Sequence, residues 1–155
     1  MFIKTTSLII PTKDRLDYLK KFFISIKDYI EHFNEIIIVD SSSKKNHEEI
    51  TRDFFNYENV KVLKSEPSTS KQRNVGLKLY NKENHFLMFC DDDIIINEKA
   101  LMNMDEFIKS NSLDIGYGFN LIEEKVSNFF ENFKKNLLFE KIGFYHRSPG
   151  IVCEN

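Results

Sequence analysis

Glu35-Ile36-Ile37-Ile38-Val39-Asp40-Ser41-Ser42-Ser43 holds an unbroken apolar run, Ile36 to Val39, that ends in a carboxylate and three hydroxyl side chains. Consecutive β-branched residues suit a strand buried on both faces, as in a parallel sheet, and the Asp-Ser cluster reads as the polar turn at its carboxyl end. The same pattern occurs upstream. Ser7-Leu8-Ile9-Ile10 is a short apolar run that Pro11 stops, and Leu16, Leu19, Phe22 or Phe23, Ile26 and Ile30 then recur at steps of three or four, which predicts a helix from Asp14 to Ile30.

Downstream the alternation continues. A helix is expected from Asn46 to Phe55, a strand at Val60 to Leu63, and a loop at Ser65 to Ser70, with Ser70 capping a helix from Lys71 to Tyr80. Phe86 to Cys90 then reads as a strand that delivers Asp91-Asp92-Asp93 to the sheet edge. Asn97 is placed to cap a helix carrying Leu101, Met104, Phe107 and Ile108, and Leu113 to Ile122 reads as a further strand containing Gly116 and Gly118. Phe129, Phe130, Phe133, Leu137 and Leu138 suggest one more amphipathic helix. Strand followed by helix, repeated, predicts an α/β fold with an open, mostly parallel sheet flanked by helices, whose ligands bind beyond the carboxyl ends of the strands. Pro11, Thr12, Asp40 and the aspartate triplet fall on that edge.

The triplet carries the strongest chemical signal. Two unit charges about 4 Å apart repel by roughly 1 kcal/mol in water and about 4 kcal/mol near a protein surface. Three adjacent carboxylates therefore call for a partner, and a divalent metal holding a phosphorylated ligand is the natural candidate.

Composition bounds the answer. At 155 residues the chain suits one domain over residues 1–155 with a sizeable core. With 41% hydrophobic and 30% charged residues and a net charge of -2, it carries no bias toward nucleic acid or an anionic membrane. Its two cysteines, Cys90 and Cys153, lack metal-ligand spacing and read as reduced thiols. No charged leader with an apolar core and no membrane-length apolar run is present, so the expected address is the cytoplasm. Dinucleotide and P-loop readings lapse for want of their glycine-rich motifs. A haloacid-type phosphatase places its Asp-x-Asp after the first strand and a receiver domain places acidic residues early, so both fit poorly; a sugar nucleotidyltransferase, whose usual glycine-rich first loop has no counterpart in Pro11-Thr12-Lys13-Asp14-Arg15, is a more distant third reading.

Four segments in order, Ile9-Ile10-Pro11-Thr12-Lys13-Asp14-Arg15, Ile37-Ile38-Val39-Asp40-Ser41-Ser42, Lys71-Gln72-Arg73-Asn74-Val75-Gly76 and Phe89-Cys90-Asp91-Asp92-Asp93, resemble the family 2 glycosyltransferases of the GT-A fold. The resemblance covers residues 7 to 122. It implies a sugar transfer from a nucleotide-diphosphate sugar, most naturally a UDP-sugar, to a glycan or lipid-linked acceptor, with inversion and with Mn2+ or Mg2+ as cofactor. Pro11 and Thr12 would lie beside the base with Arg15 nearby, and Asp40 would accept hydrogen bonds from the base or ribose. Arg73 would offer its planar fork to phosphate or base, with Lys71 a weaker contact. Asp91 or Asp92 would approach the ribose, and Asp93 would bind the metal that bridges the phosphates. Lipid-linked acceptors would bring the chain to the inner face of the membrane as a peripheral protein.

An inverting transfer also needs a general base for the acceptor hydroxyl. The family supplies it after a segment resembling Arg147-Ser148-Pro149-Gly150, and this sequence stops at Asn155. Asp114, Glu123, Glu124, Glu131, Glu140, His85 and His146 carry no motif that marks one as the base. The expectation is a donor-binding half with an incomplete acceptor portion; the alternative is a nucleotide-sugar-binding remnant or one part of a split transferase.

Overall fold

In the computed structural model, four strands, β1 (Thr6–Thr12), β2 (Glu35–Asp40), β3 (Val60–Lys64) and β4 (Phe86–Phe89), form one sheet in the order β3-β2-β1-β4. Every pairing in it is parallel. The open parallel sheet expected from the apolar runs is therefore present. The structure describes residues 1–110, 118–119 and 152–153, and the chain divides into two compact units, Met1–Leu101 and Met102–Asn155.

Strand order dictates where the helices go. From β1 to β2 to β3 the chain steps one way across the sheet, then returns to add β4 on the far side of β1. Right-handed crossovers place α1 (Leu16–Ser25) and α2 (Lys44–Phe54) on one face and α3 (Thr69–Leu79) on the other. The aromatic rings of Phe23 in α1 and Phe54 in α2 lie 4.3 Å apart between centroids. On the opposite face Val75 and Tyr80 pack with Leu63 and Leu87 against buried Ile9, Ile37 and Val39. Leu8, Ile10, Ile36 and Ile38 alternate with those residues, and all are fully buried, so both faces of the sheet are covered.

At Gly76 α3 lies close against β1. A Cβ built there would meet Ile9 Cγ2 at 2.7 Å and Cδ1 at 2.8 Å. The glycine of the Arg-Asn-x-Gly segment is thus required by packing.

Several boundaries differ from the sequence expectation. Pro11 does not end β1, which continues to Thr12. Ile9 turns its carbonyl toward β4, where it accepts from Cys90 N at 3.1 Å, and Pro11 shares that side of the strand by alternation. β4 pairs only as far as Phe89 opposite Ile9, so the missing N–H of Pro11 faces no strand. The helix read from Asp14 to Ile30 is two pieces, α1 and a 3₁₀ segment at Lys27–His32. Ser25 Oγ donates to Phe22 O at 2.7 Å and accepts from Ile96 N at 3.2 Å, which disturbs the α pattern there. Ile26 and Ile30 stay buried, and Asn59 Nδ2 caps the Ile30 and Phe33 carbonyls at 2.7 and 2.8 Å. Ser68, not Ser70, caps α3, accepting from Lys71 N at 3.3 Å.

Asn97 caps α4 (Glu98–Ser110) as expected, accepting from Ala100 N at 2.8 Å. Ala100, Leu101, Met104 and Ile108 are its buried residues, and Phe107 is half-buried. In the second unit β5 (Gly118–Phe119) pairs in parallel with β6 (Val152–Cys153). The rest of the expected Leu113 to Ile122 strand, the Phe129 to Leu138 helix, and the carboxylates Asp114, Glu123, Glu124, Glu131 and Glu140 lie outside the described residues. Among the described residues, no helix is long and apolar enough to cross a membrane.

Candidate functional site at the carboxyl edge of the sheet

The reversal of strand order between β1 and β4 opens a crevice beyond their carboxyl ends, the place where open α/β sheets bind ligands. A cavity of about 290 Å3 lies there, lined by Pro11 and Thr12 at the end of β1, by Lys13 and Arg15 after it, by Thr69 and Gln72 of α3, and by Asp91, Asp92 and Asp93 after β4. Six sequence-predicted residues, Pro11, Thr12, Arg15, Asp91, Asp92 and Asp93, therefore converge in one place.

The three carboxylates differ in burial, and two of them share a partner. Asp92 is buried, and Thr12 Oγ1 donates to its Oδ2 at 2.7 Å. Arg15 bridges the pair beyond it, with Nη1 3.1 Å from Asp92 Oδ1 and Nη2 2.8 Å from Asp93 Oδ2. Arg73 Nη2 reaches Asp91 Oδ1 at 2.8 Å. Two guanidinium groups thus supply counter-charge to the triplet. Arg15 also stacks on Tyr18, 4.3 Å from the ring centroid, and Arg73 lies 5.8 Å from that of Phe89. Burial pushes the Asp92 carboxyl above its ordinary range, aided by its acidic neighbours and opposed by Thr12 and Arg15. The hydrogen bond to Asp93 raises Arg15 further still. Buried Cys90, next to the triplet, has its thiol pushed up to about 12 by burial and then by Asp91, so it stays protonated and is no nucleophile.

Other predicted residues lie away from the cavity wall. Asp40 is fully buried at the end of β2. It accepts from Ser42 N at 2.8 Å and from the Ser42 hydroxyl, and its Oδ2 lies 2.7 Å from His47 Nδ1. A ligand meeting Asp40 must first displace one of those partners. Lys71 is exposed and pairs with exposed Glu66 at 2.5 Å. Arg73 meets the cavity only through Asp91. Among the described residues, no group of three or more His, Cys, Asp and Glu side chains is arranged to hold a metal ion.

A family model described as glycosyl transferase family 2 matches residues 7–152. The chain belongs to that family. It is 30% identical over 114 residues to the poly(ribitol-phosphate) beta-N-acetylglucosaminyltransferase TarS of Staphylococcus aureus, across 70% of this chain and 20% of TarS. The family 2 chain thus spans about a fifth of that relative's length. Its fold also matches the crystal structure of S. aureus TarS 1-349, with a TM-score of 0.57 and 25% identity over 81% of this chain and 39% of that one. The complex of TarS 1-349 with UDP-GlcNAc matches at a TM-score of 0.56 and 25% identity, over 81% and 38% of the two chains. The sheet and its flanking helices are of the GT-A type.

Two site residues of this family 2 chain were not singled out from sequence. Gln72 Nε2 donates to Thr12 O and Val39 O, each at 2.7 Å, and so ties the ends of β1 and β2 to α3. Its mark in sequence is its place between the charged Lys71 and Arg73. Asp14 is the described non-glycine residue with positive φ, at 53°. Its carboxylate accepts from Asn46 Nδ2 at 2.8 Å and Ser43 N at 3.3 Å, while its own N–H donates to Ser42 Oγ at 2.6 Å. The Asn46 bond, followed by that from Ser43, lowers its pKa. This strained turn fixes the backbone from which Lys13 and Arg15 reach the cavity.

Proposed function

We propose that the chain binds the donor of a sugar transfer, a UDP-sugar with UDP-GlcNAc as the first candidate, and passes the sugar with inversion to a glycan or lipid-linked acceptor. The observation that carries this reading is the placement of Thr12, Arg15 and the aspartate triplet around one crevice at the β1/β4 switch point of a family 2 chain. Its similarity to TarS, solved in complex with UDP-GlcNAc, supports the choice of nucleotide sugar.

Each part of such a donor meets a suitable group. Pro11 and Thr12 offer the wall for the nucleoside, Asp91 offers carboxylate oxygens to the ribose hydroxyls, and Lys13 and Arg15 offer positive charge to the diphosphate. Asp40 acts from beneath, holding the Ser41 to Ser43 turn. Asp93 fits a divalent cation: its side chain is 42% exposed, its oxygens are hard donors, and Mg2+ or Mn2+ commonly takes one or two carboxylates together with substrate phosphates. Such an ion would offset the charge that develops on the departing diphosphate.

The experiment is direct. UDP-GlcNAc is titrated into the full chain by calorimetry, and release of UDP is followed with and without added polyol-phosphate or lipid-linked acceptors. Binding accompanied by acceptor-dependent UDP release supports the transferase reading. Binding without release under any acceptor would reduce the chain to a donor-binding module, and absence of binding would overturn the proposal.

A further inference from the structure

We infer that Arg15 is an exchangeable internal counter-ion, which occupies Asp93 in the unliganded chain and must surrender it to the donor's divalent cation. The inference rests on the donor-site reading above. Arg15 bridges two carboxylates that differ in kind. Asp92, 4% exposed in its side chain, is anchored by Thr12, whereas Asp93, 42% exposed, points to the rim. The inner contact is fixed and the outer one is open to solvent, where an ion pair is held only weakly.

The cation and Arg15 compete for Asp93, whose Oδ2 Arg15 holds. Arg15 Nη2 lies 2.8 Å from Asp93 Oδ2, so a metal coordinating that oxygen would face a guanidinium at bonding distance. The two positive charges exclude one another, and one must leave. Arg15 is equipped to move: its side chain is 40% exposed, its ring partner Tyr18 is exposed and also accepts Lys21 at 5.5 Å, and its backbone is held by the Asp14 turn. Released from Asp93, the guanidinium still reaches the cavity it lines, where a diphosphate would be its new partner.

The test titrates Mn2+ alone into the full chain, reading bound ion by electron paramagnetic resonance, for the parent and for Arg15→Ala, Arg15→Gln, Arg15→Lys and Asp93→Ala. Removal of the competing charge is expected to tighten Mn2+ binding by about fivefold in Arg15→Ala and Arg15→Gln. Arg15→Lys should stay near the parent, and Asp93→Ala should lose the site. The glutamine variant keeps the side chain's length and polarity, so it carries the test if the alanine variant does not fold. Equal or weaker Mn2+ binding in both neutral variants, with the site still lost in Asp93→Ala, would overturn the exchange while leaving the donor-site reading intact. No Mn2+ binding by the parent, with or without UDP, would sink both.

Discussion

Thr12 Oγ1 donates to Asp92 Oδ2 at 2.7 Å, joining the end of β1 to the end of β4 across the mouth of the crevice. The bond is buried, and it holds one carboxylate of the triplet inside the fold while the other two face outward. Thr12→Val removes the donor and leaves a buried carboxylate oxygen short of a partner. The expected cost is about 1–3 kcal/mol, measured by denaturant unfolding at neutral pH.

Asp92 should trade stability for function. Burial raises its folded pKa, so the native state binds the proton more readily than the unfolded chain and stability falls as pH rises through that window. Asp92→Asn is therefore expected to be at least as stable as the parent at neutral pH, with the difference shrinking as pH approaches the ordinary carboxylate range, while nucleotide binding weakens. Thermal unfolding at two pH values checks the first claim, and a variant less stable than the parent at neutral pH would refute it.

Glu35 gives the opposite sign at the other end of the sheet. Burial works to raise its pKa, but the Asn81 N–H, Lys61 at 2.8 Å and the Ser7 hydroxyl at 2.6 Å hold it below the usual value. A lowered folded pKa contributes stability that is present above the unfolded value and is lost as pH falls through the folded one. Glu35→Gln should flatten the acid limb of the unfolding profile, and an unchanged acid limb would contradict this assignment.

Gly76→Ala should destabilise despite alanine's better helix propensity. The added carbon meets Ile9 at 2.7 Å in a fully buried strand, an overpacking cost of roughly 1–3 kcal/mol against a helix gain of about 1 kcal/mol. Equilibrium unfolding of the variant decides the sign.

Gln72→Ala is expected to cost about 1–3 kcal/mol and to weaken nucleotide binding, because it strips donors from the Thr12 and Val39 carbonyls at the sheet edge. Unfolding and UDP titration of the same variant test the two effects together.

These residues show which parts of the molecule were legible in sequence. The parallel sheet was, because Ile36 to Val39 and Leu8 to Ile10 have no polar face to expose, and the aspartate triplet was, because like charges in a row demand partners. The identity of those partners was not. Arg15 and Arg73 lie 78 and 18 positions from the aspartates they meet, and no local pattern encodes such pairings. The double hydrogen bond of Gln72 likewise depends on two strands brought together by the fold. Local competition explains the boundary errors: Ser25 against the helix at Phe22, and Ser68 against Ser70 for the cap of α3.

We propose that the crevice between β1 and β4 holds a metal-bound uridine diphosphate. The most direct measurement is calorimetric titration of UDP and, separately, GDP into the full chain with Mn2+, repeated with EDTA and with Asp93→Ala. UDP is expected to bind in Mn2+, GDP to bind more weakly, and UDP binding to fall strongly both in EDTA and in Asp93→Ala. UDP binding that is equal with and without chelator and unaffected by Asp93→Ala, or no UDP binding at all, would contradict it.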